Sequence, residues 1–349
     1  MLPWLQRLRD DIADLEPLDA HTHIGSNDPD GYRCTREQLV GALERFDARA
    51  FVFPMHEPEG YAAANDMVIE EAAASDGRLF PFCRLDPHDD AAAEAERALA
   101  RGARGIKLHP RAERFTLDHP ALGRHAVEAT GRHPGMRLIL AHAGISDLAW
   151  IWREAPSHPN LFFDTSWWSP ADVQALFALV PPGQILMASD APYGSPVWAT
   201  VMTIRNALQC GLDADQARAV AGGQALRLVE GEEPLDLGPP LGDGGLSHDP
   251  LLDRVYSYLM SALGQMFNGV EPAETLALVR LACDVGDDAP QAPLCRWVLE
   301  LLDAREAYSP EGDGRPARFA PGLHFMVAAL GIVRTPSVPL PEFRALAAG

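Results

Sequence analysis

Between residues 18 and 228 a short apolar run is followed by an amphipathic helical pattern, and the pair repeats about seven times. A chain with this rhythm has few options. Short, continuously apolar strands are buried on both faces, and strand-helix-strand units set each strand parallel to the last, so the expected product is a parallel sheet covered by helices. The strands are read at residues 18–25, 50–55, 79–85, 105–110, 137–144, 160–166 and 184–192. The helices are read at 35–46, 61–75, 89–101, 122–132, 146–155, 170–179 and 197–210, with a shorter one at 214–228. Thr35, with Gln38 three residues on, predicts a capping box at the start of the first of these. Polar residues recur at the strand C-terminal ends, where a (β/α) barrel builds its catalytic face, which favours a TIM-type barrel over an open doubly wound sheet. No Gly-x-Gly-x-x-Gly follows the first strand, and this weighs against a dinucleotide fold.

From about residue 246 the texture changes, and 249–267, 272–285, 292–308 and 321–333 read as helices with no strand among them. Residues 231–245, crowded with Glu, Asp, Gly and Pro, read as a connection. The expected organisation is therefore a barrel over 1–235, a linker over 236–248 and an all-α domain over 249–349. Residues 1–17 read as a short amphipathic helix rather than a signal peptide, and no run of about 18 apolar residues exists to span a membrane. A formal charge of -20 argues against nucleic acid and anionic membrane surfaces as partners. The five cysteines are odd in number, scattered and without a Cys-x-x-Cys pair, which points to a reducing, cytoplasmic setting.

The first strand carries the sharpest chemical signal. In Leu18-Asp19-Ala20-His21-Thr22-His23-Ile24-Gly25 an extended backbone puts Asp19, His21 and His23 on one face and Leu18, Ala20 and Thr22 on the other. Two imidazoles one pleat apart can chelate a single Zn, Fe, Mn or Ni ion. Later strand ends add Lys107, His109, His142, Asp164 and Asp190. Lys107 stands out because it is the one lysine among 29 basic residues, and a lysine amine can do what a guanidinium cannot. A divalent ion on neutral histidines and one carboxylate would lower the pKa of water and polarise a carbonyl, with Asp190 as ligand or general base. Asp164 could hydrogen-bond a ligand histidine or cap the next helix, and His109 could support the site or cap its strand. Trp167 and Trp168 are expected to wall the pocket or pack under the tail. His56, His88, His119, His125, His133 and His158 are expected in loops and at the surface.

Taken together, His21-Thr22-His23, Gly105-Ile106-Lys107-Leu108-His109-Pro110, Leu140-Ala141-His142-Ala143-Gly144, the run from Asn160 to Ser166 and Ser189-Asp190-Ala191-Pro192 resemble the amidohydrolase-related family that includes the aminocarboxymuconate-semialdehyde decarboxylase-like enzymes. The likeness covers about residues 17 to 230. It implies a metal-dependent TIM barrel in which His21, His23 and Asp190 bind the ion and His142 sits beside it, orienting water or substrate. It also implies that the segment from Gly222 to Leu228 closes the barrel.

The chain departs from that pattern at one place. Only about thirty residues separate the Lys107 strand from the His142 strand, room for a loop and one helix, so the strand-five unit and its histidine are missing. Strand number, tilt and stagger are linked in a barrel, so the expected fold is a gapped or distorted barrel of about seven strands. His142 is then the candidate for the missing ligand's place, giving His21, His23, His142 and Asp190 as metal ligands and Asp190, His142 and Lys107 as catalytic groups. The expected activity is hydrolysis of an ester, lactone or amide with zinc, or manganese or iron in its stead. The expected substrate is a small molecule bearing a carboxylate that pairs with Lys107; a carboxylated Lys107 bridging two metals is the other use weighed. The alternatives are a non-oxidative decarboxylase of an unsaturated or aromatic acid and a catalytically silent binding module. A homo-oligomer is left open.

Overall fold

The computed structural model describes residues 1–110, 112–114, 122–144, 148–166, 169–246, 248–308 and 320–341. Helix α1 (Leu2–Asp11) leads into β1 (Leu18–Ile24), followed by α2 (Arg36–Glu44), β2 (Arg49–Pro54) and α3 (Ala62–Ala73). Next come β3 (Leu79–Pro81), β4 (Cys83–Arg84), α4 (Ala91–Ala100), β5 (Ile106–Lys107), α5 (Leu122–Arg132) and β6 (Leu138–Leu140). The alternating part ends with α6 (Leu148–Ile151), β7 (Leu161–Asp164), α7 (Pro170–Leu179), β8 (Ile185–Leu186), α8 (Pro196–Cys210), α9 (Ala214–Arg218) and α10 (Gln224–Glu230). Four further helices follow: α11 (Pro250–Phe267), α12 (Ala273–Ala282), α13 (Ala292–Glu306) and α14 (Leu323–Arg334). The capping box predicted from Thr35 and Gln38 is formed at the start of α2.

The strands build a parallel wall with one opening. β1 pairs with β2 and β2 with β3, β4 pairs with β5, β6 with β7 and β7 with β8, all parallel. β3 runs into β4 with one residue between them. The first and last strands are joined as well, because the Ala20 N–H donates to the Met187 carbonyl at 2.9 Å and the Asp190 N–H to the His21 carbonyl at 2.8 Å. The order across the wall is thus β5, β4 with β3, β2, β1, β8, β7, β6. Among the described residues no strand bridges β5 to β6, so the barrel is gapped at the place where the strand-five unit is missing.

Strict alternation in β1 does not hold. The register against β2 slips between Asp19 and Thr22, the signature of a bulge. Leu18 and Ala20, before and within the slip, pack with Phe51, Phe53 and Phe162, while His21 within it and His23 beyond it also meet the Phe53 ring, at 5.5 and 5.6 Å. The two imidazoles keep the shared direction that their spacing predicts. The extra residue nevertheless breaks the alternation that grouped Asp19 with the histidines and Leu18 and Ala20 against them.

The C-terminal helices share one apolar core with α1, α2 and β2, in which Trp4, Leu8, Leu39 and Val52 join Val255, Leu259, Val298 and Leu330. Trp4 meets Trp297 edge-on at 5.0 Å. Close approach of α14 to α8 needs Gly331, where a Cβ would stand 2.0 Å from Met202 Sδ. A similar contact seats the segment expected to close the barrel: a Cβ on Gly222, in the wide turn Ala219–Gly223, would stand 2.1 Å from the Glu16 carbonyl oxygen. No described helix is long and apolar enough to cross a membrane.

Candidate metal centre

Three of the expected ligands meet at the C-terminal mouth of the wall. His21 Nε2 and His23 Nε2 lie 3.1 Å apart, and Asp190 Oδ1 lies 3.3 Å from each. An ion with tetrahedral bonds of about 2.0–2.1 Å spaces its ligands about 3.3 Å apart, so this triangle has the size of one face of such a shell. Both imidazoles are buried, and Asp190 sits at the bottom of the mouth in left-handed backbone, with φ 57.

The hydrogen-bond partners fit a cation too. His21 Nδ1 faces Asp164 Oδ2 at 2.9 Å, and His23 Nδ1 faces the Pro54 carbonyl oxygen at 3.3 Å. Both partners only accept, so each Nδ1 carries the hydrogen and each Nε2 turns a lone pair inward. Two lone pairs and a carboxylate oxygen aimed at one point repel unless a positive charge lies between them. Carboxylate or carbonyl support behind a ligating imidazole is the usual arrangement around a metal. These residues therefore fit a divalent ion.

Burial would push both carboxyl groups up, yet the facing histidines outweigh it. Asp190 is brought to about 2, and Asp164, facing His21 and the Ser166 hydroxyl, is held below the usual carboxylate range. Burial lowers His23 to about 4, so it is a neutral ligand at ordinary pH. Asp19 is pushed the other way, to about 7, by burial that its hydrogen bonds only partly offset. Its Oδ1 accepts from the N–H groups of His21 and Ser189, tying the ends of β1 and β8 together.

Lys107 is inside the site. Its Nζ lies 2.8 Å from His21 Nε2 and 5.2 Å from the centre of the Phe53 ring, and burial lowers its pKa against the pull of Asp190 and Asp164. It addresses the same lone pair that the ion would use. His142 stands beside the triangle rather than in it: its ring centre is 5.4 Å from that of His21, and its Nδ1 lies 2.8 Å from the Ser166 carbonyl oxygen. Among the described residues the group whose ligand atoms converge is His21, His23 and Asp190. His142 is held in left-handed backbone, with φ 57, by its N–H bond to Asp164 Oδ1 at 2.9 Å.

Asp164 takes the supporting position behind His21. His109 caps its own turn, where its Nδ1 accepts from the Ala112 N–H at 3.2 Å and its N–H donates to Glu113 Oε2 at 2.9 Å. Four contributing residues were not singled out in the sequence. Ser166 Oγ lies 3.3 Å from His21 Nδ1 and 3.1 Å from His142 Nδ1, and its signal was its place two residues after Asp164. The Tyr193 ring meets His23 edge-on at 5.9 Å, just past the Ala191-Pro192 run. Arg84 and Glu113 form a buried ion pair at 2.6 Å that pins the loop after β5; no local pattern marks a pair 29 residues apart. Trp167, Trp168 and His119 lie outside the described residues.

Residues 18–133 and 125–230 match the sequence profile described as amidohydrolase. Among solved structures, 4-oxalomesaconate hydratase from Rhodopseudomonas palustris is 13% identical over 62% of this chain and 96% of its own, with a TM-score of 0.46. A 2,6-dihydroxybenzoate decarboxylase complexed with 2,6-dihydroxybenzoate is 15% identical over 62% of this chain and 98% of its own, with a TM-score of 0.45. An uncharacterised TIM-barrel protein from Bordetella bronchiseptica is 14% identical over 62% of this chain and 99% of its own, with a TM-score of 0.49. No curated protein sequence matches the chain.

Proposed function

The chain belongs to the amidohydrolase family, and from that premise we propose that it is a metal-dependent hydrolase acting on an ester, lactone or amide that carries a carboxylate. The observation that carries this reading is the inward-facing triangle of His21 Nε2, His23 Nε2 and Asp190 Oδ1, whose edges of 3.1 to 3.3 Å match one divalent ion. Two neutral imidazoles and a carboxylate suit zinc. When bound, such an ion supplies Lewis acidity that polarises a carbonyl and brings the pKa of water toward neutrality.

The chain's own groups do the rest. Asp190, ionised at neutral pH, accepts a proton from the attacking water at its carboxylate and returns it to the leaving group. His142, held by Asp164 and Ser166, orients the water or the substrate carbonyl beside the triangle. With His21 Nε2 committed to the ion, the Lys107 amine 2.8 Å away is released to pair with the substrate carboxylate. Asp164 keeps the hydrogen of His21 on Nδ1. In this proposal residues 1–235 carry the chemistry, and the helices of 249–349 flank its mouth.

Product analysis tests the reading. Zinc-loaded protein is offered carboxylate-bearing esters, lactones and amides, and unsaturated or aromatic acids, while acid and CO2 are both measured. Acid release that falls at least about 100-fold in Asp190→Asn supports the hydrolase. CO2 release without hydrolysis reassigns the chain as a decarboxylase, and neither product from a metal-loaded protein leaves a binding module.

A further inference from the structure

A cavity of about 340 Å³ begins at Asp190 and His142 and runs outward between α7, α8 and the C-terminal helices, a volume that suits a small organic ligand. One tight stretch of chain joins it to the metal centre. Just past Asp190 the backbone folds back, with the Tyr193 and Gly194 N–H groups donating to the Asp190 carbonyl at 2.9 and 3.2 Å. A Cβ on Gly194 would stand 2.1 Å from the Ser189 carbonyl oxygen, so the turn needs glycine there. α8 starts at Pro196, directly after this turn, and Trp198, Ala199 and Met202 of its first turns become a wall of the chamber.

Much of the outer wall comes from the tail. Phe267 ends α11, Leu323 and Val327 lie on α14, and together with Trp198 and Met202 they line the chamber. Phe267, Val327, Trp198 and Met202 each pack against the main apolar core yet are only half-buried, and they line the chamber with apolar surface that the core does not cover. Apolar surface gathered in a concave site favours an apolar occupant, which displaces water from both partners. Several hydroxyls of the lining are already engaged. Thr165 Oγ1 and Thr203 Oγ1 bond to each other at 2.8 Å, Ser189 Oγ accepts from the Ala191 N–H at 3.0 Å, and the Tyr193 hydroxyl donates to Asp28 Oδ2 at 2.5 Å. Ser195, Trp198 and His324 bring a hydroxyl, an indole and an imidazole to the same wall, so a polar-ended probe belongs in the test.

We propose that this chamber receives an apolar hydrocarbon group of the substrate, and that Phe267 of α11 and Val327 of α14 set how long that group can be. The proposal rests on the hydrolase reading only for which bond of the substrate reacts. The reacting carbonyl and the carboxylate sit at the Asp190 and Lys107 end, and the hydrocarbon group extends from there between α8 and the tail helices. The C-terminal region is then a specificity element of the enzyme.

Isothermal titration of the zinc-treated full chain with butyrate, hexanoate, octanoate, decanoate and 8-hydroxyoctanoate tests this. Each probe offers a carboxylate to Lys107 and a chain of different length or ending to the chamber. Wild-type affinity is expected to rise about threefold per added methylene as far as octanoate and then to level, with 8-hydroxyoctanoate held about tenfold less tightly than octanoate. Val327→Trp, which narrows the chamber, should bring the levelling forward to hexanoate. Octanoate is then bound about tenfold less tightly, while butyrate changes less than about twofold. Phe267→Ala should carry the rise on to decanoate, and either variant decides the matter should the other fail to fold. A flat profile in the wild type, no binding of any probe, tighter binding of the hydroxy acid than of octanoate, or a levelling point that ignores the folded variants would each overturn the chamber. Metal content measured on the same samples separates the two claims. A length profile that moves with the tail, in a chain that takes up no zinc, upholds the chamber and sinks the metal centre, and zinc uptake with a flat profile does the reverse.

Discussion

His21 is a metal ligand in this account only because of what stands behind it. Asp164 Oδ2, 2.9 Å from Nδ1, fixes the hydrogen there and turns the Nε2 lone pair to the mouth. Asp164→Asn can keep the bonds that Oδ1 accepts from the His142 and Ser166 N–H groups, but its amide then turns a donor toward His21 Nδ1. The imidazole must move its hydrogen to Nε2. Zinc affinity is expected to fall about 10- to 100-fold with the fold intact, measured by chelator competition; an unchanged affinity would remove Asp164 from the site. Burial also sets a pH window. His23 titrates at about 4 against an ordinary 6.5, so the folded protein disfavours its charged form and protons begin to compete for it only at low pH. Bound metal is expected to survive passage through pH 6.5 and to leave as pH approaches 4 in an equilibrium dialysis series. A His23 ring that titrates near 6.5 by NMR in the metal-free protein would contradict its buried placement. The histidine spacing and the strand-end aspartates were legible because alternation and barrel topology are regular. That Lys107 meets His21 Nε2, and that Ser166 joins Asp164 and His142, depend on side-chain directions that no spacing rule encodes.

At the level of elements, α8 does two jobs. One face lines the cavity, and Arg205 on another fastens the chain's last described segment. That guanidinium is buried, with burial lowering its pKa to about 9, and among the described residues no carboxylate pairs with it. Instead Nε donates to Thr335 Oγ1 at 3.0 Å, Nη1 to the Pro339 carbonyl at 2.9 Å and Nη2 to the Thr335 and Val338 carbonyls at 3.0 and 3.1 Å, over the Trp4 ring. Arg205→Met removes these donors and leaves several buried carbonyls unpaired, so the loss is expected to be about 3 kcal/mol in chemical denaturation. A loss below about 0.5 kcal/mol, typical of exposed positions, would show that the fastening is nominal. Arg205 drew no notice in the sequence because it is one arginine among many. Strand positions were read well, since buried parallel strands are continuous apolar runs. The bulge between Asp19 and Thr22 was not, because an inserted residue leaves hydrophobicity almost unchanged while it alters which side chains share a face.

On the scale of the whole molecule, the gap follows from length alone: too few residues separate β5 and β6 for another strand and its helix, and among the described residues no strand joins them. What chain length could not reveal is where the C-terminal helices go, because an amphipathic face says that it is buried and not against what. They share the core of α1 and β2, and Phe267, Leu323 and Val327 line the cavity that reaches Asp190 and His142. Everything claimed for reactivity depends on that site holding an ion on His21, His23 and Asp190. Elemental analysis of the full chain after zinc loading and removal of free metal addresses this directly. The account predicts about one zinc per chain in the wild type, lost in His21→Ala and Asp190→Ala proteins whose circular dichroism matches the parent. A wild-type chain that takes up no divalent metal, or variants that retain as much as the parent, would contradict it.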